Sequence, residues 1–143
     1  IAAIAVWAHE CGHALQHQQA YAPLKIRMAS VGITSFANGM LTWIMMGALF
    51  LGMIPLQLAL PLLAGCWGVI MAFNLITLPV EFDASRRAKV MLHQMGFTAT
   101  ATEDRGVSEV LNAAAWTYVA AFITSLAYFL YHLLPFLTGR SDD

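Results

Sequence analysis

The chain contains an uncharged run at residues 56–78, LQLALPLLAGCWGVIMAFNLITL. A helix of about 20 residues crosses the hydrocarbon core of a bilayer, which is about 30 Å thick, so this run is long enough to span a membrane. Pro55 precedes it directly and predicts a tight turn, and Pro79 follows it directly. The run therefore predicts a transmembrane helix with the chain reversing direction at its start.

The rest of the composition extends this prediction to the whole chain. Hydrophobic residues make up 59% of the 143 residues and charged residues 10%, whereas soluble domains have about 25% charged residues. The mean hydropathy is +0.67. Further uncharged runs at 35–53 and 111–137 predict spans at 31–54 and 108–137. Buried helices of a soluble core are the alternative, but almost no polar chain would remain to cover them. We therefore expect a single all-α, multi-pass membrane domain over residues 1–143.

The basic residues indicate the orientation. Six of the seven precede the first span or lie between the second and third, and Arg140 is the exception; the six are Lys25, Arg27, Arg86, Arg87, Lys89 and Arg105. The positive-inside rule places their face in the cytoplasm, with Lys25 and Arg27 as interfacial anchors. No basic cluster is typical of a nucleic-acid site, and Cys11 and Cys66 are expected to be packing residues rather than a disulfide.

Residues 9–13 read His-Glu-Cys-Gly-His, which is an H-E-x-x-H motif. In a helix over residues 1–22, His9 and His13 lie one turn apart on the same face. Two imidazoles in this register bind one Zn²⁺ ion, and Glu10 beside them is placed to act on water as a general base. The motif predicts one catalytic zinc ion with His9 and His13 as ligands.

A catalytic zinc ion needs a third protein ligand and an open position. His17 is too far, because eight helical residues rise about 12 Å from His9. We expect Glu81 to be the third ligand, since it opens a cytoplasmic helix over residues 79–96 and a hairpin of two spans returns it to the face of the motif. Asp83 stays an alternative ligand, although an i,i+4 pair with Arg87 explains it as well.

Ser85 lies on the same helical face as Glu81 and is a candidate for holding a ligand in place. Tyr118 and His93 are candidates for donating a hydrogen bond to the oxyanion formed during hydrolysis. An interfacial aromatic role is the favoured explanation for Tyr118, and exposure to solvent is the favoured explanation for His93.

Four blocks of sequence resemble the YugP-like family of putative neutral zinc metallopeptidases of bacterial membranes. They are residues 8–16 (AHECGHALQ), 21–24 with Arg27, 78–88 (LPVEFDASRRA) and 110–120 (VLNAAAWTYVA). The resemblance implies a multi-pass membrane metallopeptidase that binds zinc through His9, His13 and an acidic residue of the Glu81 block. Members usually have a further span and a soluble stretch before the motif, so we expect this chain to be an N-terminally truncated fragment.

These features together predict a zinc metallopeptidase of the cell membrane. Glu10 activates a water molecule, and the substrate is a peptide or a membrane protein cleaved at the cytoplasmic surface. Two alternatives stay open, an intramembrane zinc protease and a non-catalytic membrane protein with a structural zinc ion. The expected partners are the substrate and the lipid bilayer, without nucleic acid, and the sequence does not decide the oligomeric state.

Overall fold

The computed structural model describes residues 1–139, so Arg140, Asp142 and Asp143 lie outside the described residues. The described chain is helical and contains no β-strand, which confirms the all-α prediction. Its helices are α1 (Ala2–Gln18), α2 (Ala22–Met45), α3 (Leu56–Gln94) and α4 (Ala101–Leu137), and a π-helical turn (Met46–Phe50) follows α2.

Three stretches of helix are long and apolar enough to cross a membrane: Ala22–Phe50, α3 and α4. Few side chains in their most apolar windows are buried by protein, 17% in the first two and 6% in α4. Large apolar side chains such as Trp43 and Phe50 are 73% and 77% exposed. Surfaces of this kind are stable against lipid and not against water. The spans predicted at 56–78 and 108–137 fall within α3 and α4, whereas the span predicted at 31–54 extends four residues beyond the end of the first helical stretch at Phe50.

The helices extend further than the spans. α3 continues through Pro79 to Gln94, so the segment expected as a separate helix over 79–96 is the continuation of the second span's helix. Val80, Ala84, Ala88 and Leu92 recur every fourth residue along this part and are at most 4% exposed. Their burial on one helical face stabilises the extension.

The polar residues 97–106 predict a loop, and Ser108 with Glu109 predicts the cap of the third span, but α4 begins at Ala101. The Oγ1 atom of Thr100 accepts a hydrogen bond from the Glu103 N–H, and the Glu103 carboxylate accepts from the N–H groups of Ala99 and Thr100. This is a capping box, which satisfies N–H groups that the first turn leaves unpaired. The N-cap predicted at Ser108 is therefore wrong, because Thr100 and Glu103 start the helix first.

The chain forms two compact units. The first comprises Ile1–Met28 and Ile76–Ala120. It is held together by a cluster of buried, mostly small side chains from α1, α3 and α4: Ala5, Ala8, Ala88, Leu92, Val107 and Leu111. Small residues let helix backbones approach closely, and this unit carries the candidate site.

Among the described residues, the second unit comprises Ala29–Leu75 and residues 121–139. Its core contains Ile44, Ala59 and Leu63. The side-chain amide of Asn74 donates hydrogen bonds to the Ser125 hydroxyl at 3.0 Å and to the Ala121 carbonyl at 3.2 Å. Polar bonds of this kind join helices within the apolar phase.

Candidate metal centre

The two histidines of the motif converge on one carboxylate. The ring centroids of His9 and His13 are 4.7 Å apart. Their Nε2 atoms lie 3.0 and 3.5 Å from the same atom, Oε2 of Glu81. One ligand atom from each of the three residues falls within 4.8 Å of the other two. Two imidazoles and a carboxylate are a donor set that zinc takes in hydrolytic enzymes, so these residues fit the ion.

Gly12 lets the two helices come together at this point. A Cβ atom on Gly12 would lie 2.5 Å from the carbonyl oxygen of Ala84 on α3. The backbones of α1 and α3 are therefore in close contact at Gly12, which lies between the two histidines of the motif, and at Ala84, which lies three residues after Glu81. The motif places two imidazoles on one face, and this contact brings the carboxylate to them.

Each imidazole uses its other ring nitrogen to contact a neighbouring side chain. The Nδ1 atom of His9 is 3.1 Å from the Ser85 hydroxyl, and the Nδ1 atom of His13 is 2.9 Å from Oε1 of Gln16. Metal-binding histidines are commonly oriented by such bonds. Ser85 contacts a candidate ligand, as its helical face suggested.

Glu81 is almost fully buried and strongly paired. Its side chain is 2% exposed, and its Oε1 atom lies 3.1 Å from Nη1 of Arg27. Burial alone would raise the pKa of the carboxyl, but hydrogen bonds from His13 and His9, with the charges of His13 and Arg27, lower it to about 2. The carboxylate is thus ionised, with one oxygen toward the imidazoles and the other toward Arg27.

The same contact acts on His13. Its hydrogen bond with Glu81 raises the pKa of the imidazole above the usual 6.5, against the opposing effect of burial. Protons and a cation would therefore compete for this nitrogen.

Asp83 is directed to a different set of partners. Its carboxylate lies 2.6 Å from Nη2 of Arg86 and 2.6 Å from Nε of Arg87, and it accepts a hydrogen bond from Gln16. Burial would raise its pKa, but the hydrogen bonds from Gln16, Arg87 and Arg86 lower it to about 2. The predicted i,i+4 pair with Arg87 is confirmed, and Asp83 is outside the group of three converging donors.

The remaining candidates differ in their exposure and in the residues that they contact. Glu10 is exposed on α1. The Tyr118 hydroxyl is close enough to Glu81 to hydrogen-bond with it, and it also feels the charge of Glu10. His93 is 72% exposed and lies 3.8 Å from Asp104, and His17 is exposed. Of the two candidate oxyanion donors, the structure brings Tyr118 to the centre.

Two residues at the centre had no assigned role there. Gln16 is fully buried and lies three positions after His13, a spacing that places it on the same helical face and that was the available signal. Arg27 was expected to be a membrane anchor, and only its contact with Glu81 reveals a second role. Lys25, two residues before it, is exposed as expected.

Fold and site together define a class, an all-α protein with three helices of membrane-spanning length and a His-His-Glu donor set suited to zinc. The chain belongs to the family described as putative neutral zinc metallopeptidase, whose model matches residues 1–137. It is 42% identical over all 143 residues to a Bacillus subtilis (strain 168) protein named putative membrane protease YugP. The chain spans 62% of that relative's length. No solved structure matches it.

Proposed function

We propose that this chain carries the catalytic centre of a zinc-dependent membrane peptidase that cleaves peptide bonds at the cytoplasmic surface. The observation that supports this most directly is the convergence of the His9 and His13 Nε2 atoms on Oε2 of Glu81. Three protein ligands leave a zinc ion one position for water or substrate, as in catalytic sites. His9, His13 and Glu81 would hold the ion.

Bound zinc supplies Lewis-acid chemistry, which polarises a peptide carbonyl and makes water acidic enough to react near neutral pH. The protein's own groups do the rest. Glu10, exposed beside His9, takes a proton from the attacking water and passes it to the leaving amine. Arg27 keeps Glu81 ionised and occupies its second oxygen, so that Oε2 stays directed at the imidazoles.

Tyr118 is the proposed donor to the oxyanion. The Tyr118 hydroxyl can hydrogen-bond with Glu81, so an O–H donor lies beside one of the three candidate ligands. A preorganised donor of this kind stabilises the charge that develops on the carbonyl oxygen.

The location follows from the charges around the centre. Glu81 lies three positions beyond the uncharged run 56–78 on α3, and Arg27, Arg86 and Arg87 contact it or its neighbour Asp83. Such a concentration of basic residues favours the cytoplasmic face and disfavours a site deep in the bilayer. The substrate is a peptide or membrane protein presented at that surface.

A structural zinc site is the competing function, and it needs a fourth protein ligand. Among residues 1–139, the group of converging donors contains three residues, and Cys11 is exposed. The geometry therefore favours an open position.

The test uses Glu10→Gln. The matched control is Glu109→Gln, the same substitution at an exposed glutamate of a different helix, α4. The purified chain in lipid vesicles is assayed for cleavage of an unfolded protein and for bound zinc. We expect Glu10→Gln to keep one zinc ion and to lose about 100-fold or more of the cleavage rate, with Glu109→Gln unchanged. Undiminished cleavage by Glu10→Gln would contradict the proposal, and zinc binding without cleavage in the unmodified chain would favour a structural site.

A further inference from the structure

We infer that Gln16 is a positioning residue that fixes the tautomer of His13, so that the Nε2 atom of this imidazole offers its lone pair to the metal centre. The inference rests on the proposed function in one respect, the identity of the bound ion. Its central element is a chain of hydrogen bonds from His13 through Gln16 to Asp83.

The side chain of Gln16 has only one orientation that satisfies its surroundings. Its Nε2 atom lies 2.8 Å from the Val80 carbonyl oxygen and 2.9 Å from Oδ2 of Asp83. A carbonyl and an ionised carboxylate only accept hydrogen bonds, so the NH₂ group must face them. Turning the amide over would place three oxygens together in a fully buried position and leave all three without a donor, which is unfavourable.

This orientation determines the proton position on His13. The Oε1 atom of Gln16 faces Nδ1 of His13 at 2.9 Å and can only accept. Nδ1 must therefore carry a proton, and in the neutral imidazole Nε2 is then the unprotonated nitrogen that can bind a metal. His9 differs, because its Nδ1 partner is the Ser85 hydroxyl, which can donate or accept and so imposes no tautomer.

Asp83 fixes the amide group of Gln16 at the end opposite His13. Its two oxygens are held by Arg86 and Arg87, so the carboxylate cannot turn away or become a donor. The residue expected as an alternative ligand thus supports a ligand through Gln16. Bonds of this kind to metal-binding histidines are typically worth about 10–100-fold in metal affinity.

The test compares Gln16→Met with Gln18→Met, a substitution of the same type at an exposed position of α1. Histidine-selective ¹⁵N NMR on the metal-free full chain at alkaline pH reports which nitrogen of His13 carries the proton, and competition with a chromophoric chelator reports zinc affinity. We expect His13 to be protonated on Nδ1 in the unmodified chain and in Gln18→Met. In Gln16→Met the tautomer with the proton on Nε2 should become more populated, because Nε2–H can donate a hydrogen bond to Glu81. Zinc affinity should fall about 10–100-fold.

A second measurement covers the case in which Gln16→Met does not fold. The unmodified metal-free chain is itself informative, because Glu81 lies 3.5 Å from Nε2 of His13 and would favour a proton on that nitrogen if Gln16 did not act. We expect the ¹⁵N spectrum of the unmodified chain at alkaline pH to show the proton on Nδ1.

If Gln16 served only to hold α1 against α3, its substitution would change the stability of the fold but not the tautomer of His13. The inference fails if Gln16→Met folds and keeps its Nδ1 proton and zinc affinity, or if His13 of the unmodified metal-free chain carries its proton on Nε2. Because the tautomer is read without metal, it is tested even if the chain shows no peptidase activity, and a failure to cleave substrate would count against the proposed function alone.

Discussion

The Nε2 atom of His9 lies 3.0 Å from the Oε2 atom of Glu81, although the two residues are 72 positions apart in the chain. The contact joins the face of α1 that carries the motif to a buried position of α3 just beyond an apolar run. A helix with two histidines one turn apart is a common arrangement, but here α3 and Arg27 must be in place before a third donor faces them. Metal binding should therefore report on the packing of the first unit.

Loss of the charge of Glu81 and loss of the charge of Asp83 should have different effects on zinc binding. Glu81→Ala removes one of three converging donors, and we expect stoichiometric zinc to be lost. Asp83→Asn keeps an acceptor for Gln16 and should still bind one zinc ion at saturation, with affinity lowered about 10-fold. Elemental analysis and chelator competition measure both quantities. Stoichiometric zinc in Glu81→Ala together with its loss in Asp83→Asn would move the third ligand to Asp83.

Removing the charge of Arg27 should weaken zinc binding and removing that of Lys25 should not, although both are cations at the start of α2. Arg27→Met removes the partner of Oε1 of Glu81, leaving a buried carboxylate with fewer donors. We expect zinc affinity to fall about 10–100-fold. Lys25→Met, at an exposed position, should leave zinc affinity unchanged. Equal losses in the two variants would mean that the charge acts through the membrane surface and not through Glu81.

The sequence was sufficient for the features that depend on local pattern. Uncharged runs predicted the spans because a bilayer requires a fixed length of apolar helix. The H-E-x-x-H spacing predicted the paired imidazoles because helical periodicity is regular. Glu81 was expected beside the imidazoles because a hairpin of two spans returns the chain to the same face of the membrane. Its role as a metal ligand stays a prediction.

The missed features depend on how neighbouring groups share hydrogen bonds. The role of Gln16 requires three partners at once, from α1 and α3, and no spacing rule encodes such a set. Arg27 carries the same charge as Lys25, and only packing separates a membrane anchor from a partner of Glu81. The start of α4 was misplaced because Ser108 with Glu109 resembles a cap, whereas Thr100 and Glu103 form one earlier.

Gly12 should tolerate no side chain. In Gly12→Ala the new Cβ atom would lie 2.5 Å from the Ala84 carbonyl oxygen, a backbone atom that can move only if a helix moves. We expect a loss of about 3 kcal/mol in stability, at the upper end of overpacking effects, with weaker zinc binding because α3 carries Glu81. Gly39→Ala, whose Cβ would meet nothing within 4 Å, serves as the control. Thermal unfolding and zinc titration of the two variants distinguish a packing requirement from a general intolerance of alanine.

The metal-free protein should be most stable in mildly acidic solution. Glu81 has a pKa lowered from 4.5 to about 2, so its pairing stabilises the fold above pH 4.5 and is lost as pH falls toward 2. His13 has a pKa raised above 6.5, so its pairing is complete below pH 6.5 and is lost as pH rises through the raised value. The His13–Glu81 ion pair is therefore intact between about pH 4.5 and 6.5, and His9 and Arg27 also contribute to the lowered pKa of Glu81.

Unfolding temperatures measured with a chelator present should therefore fall on both sides of that window. Glu81→Gln should flatten the profile above pH 6.5 because it removes the pair, but a fall in acid should remain because Asp83 also has a pKa lowered to about 2. Glu109→Gln should reproduce the profile of the unmodified chain. Zinc should reverse the slope above pH 6.5, since the ion competes with the proton for His13 and gains affinity as pH rises. A metal-free profile that rises between pH 6.5 and 9, or one that Glu81→Gln leaves unchanged, would show that the His13–Glu81 contact contributes nothing to the fold.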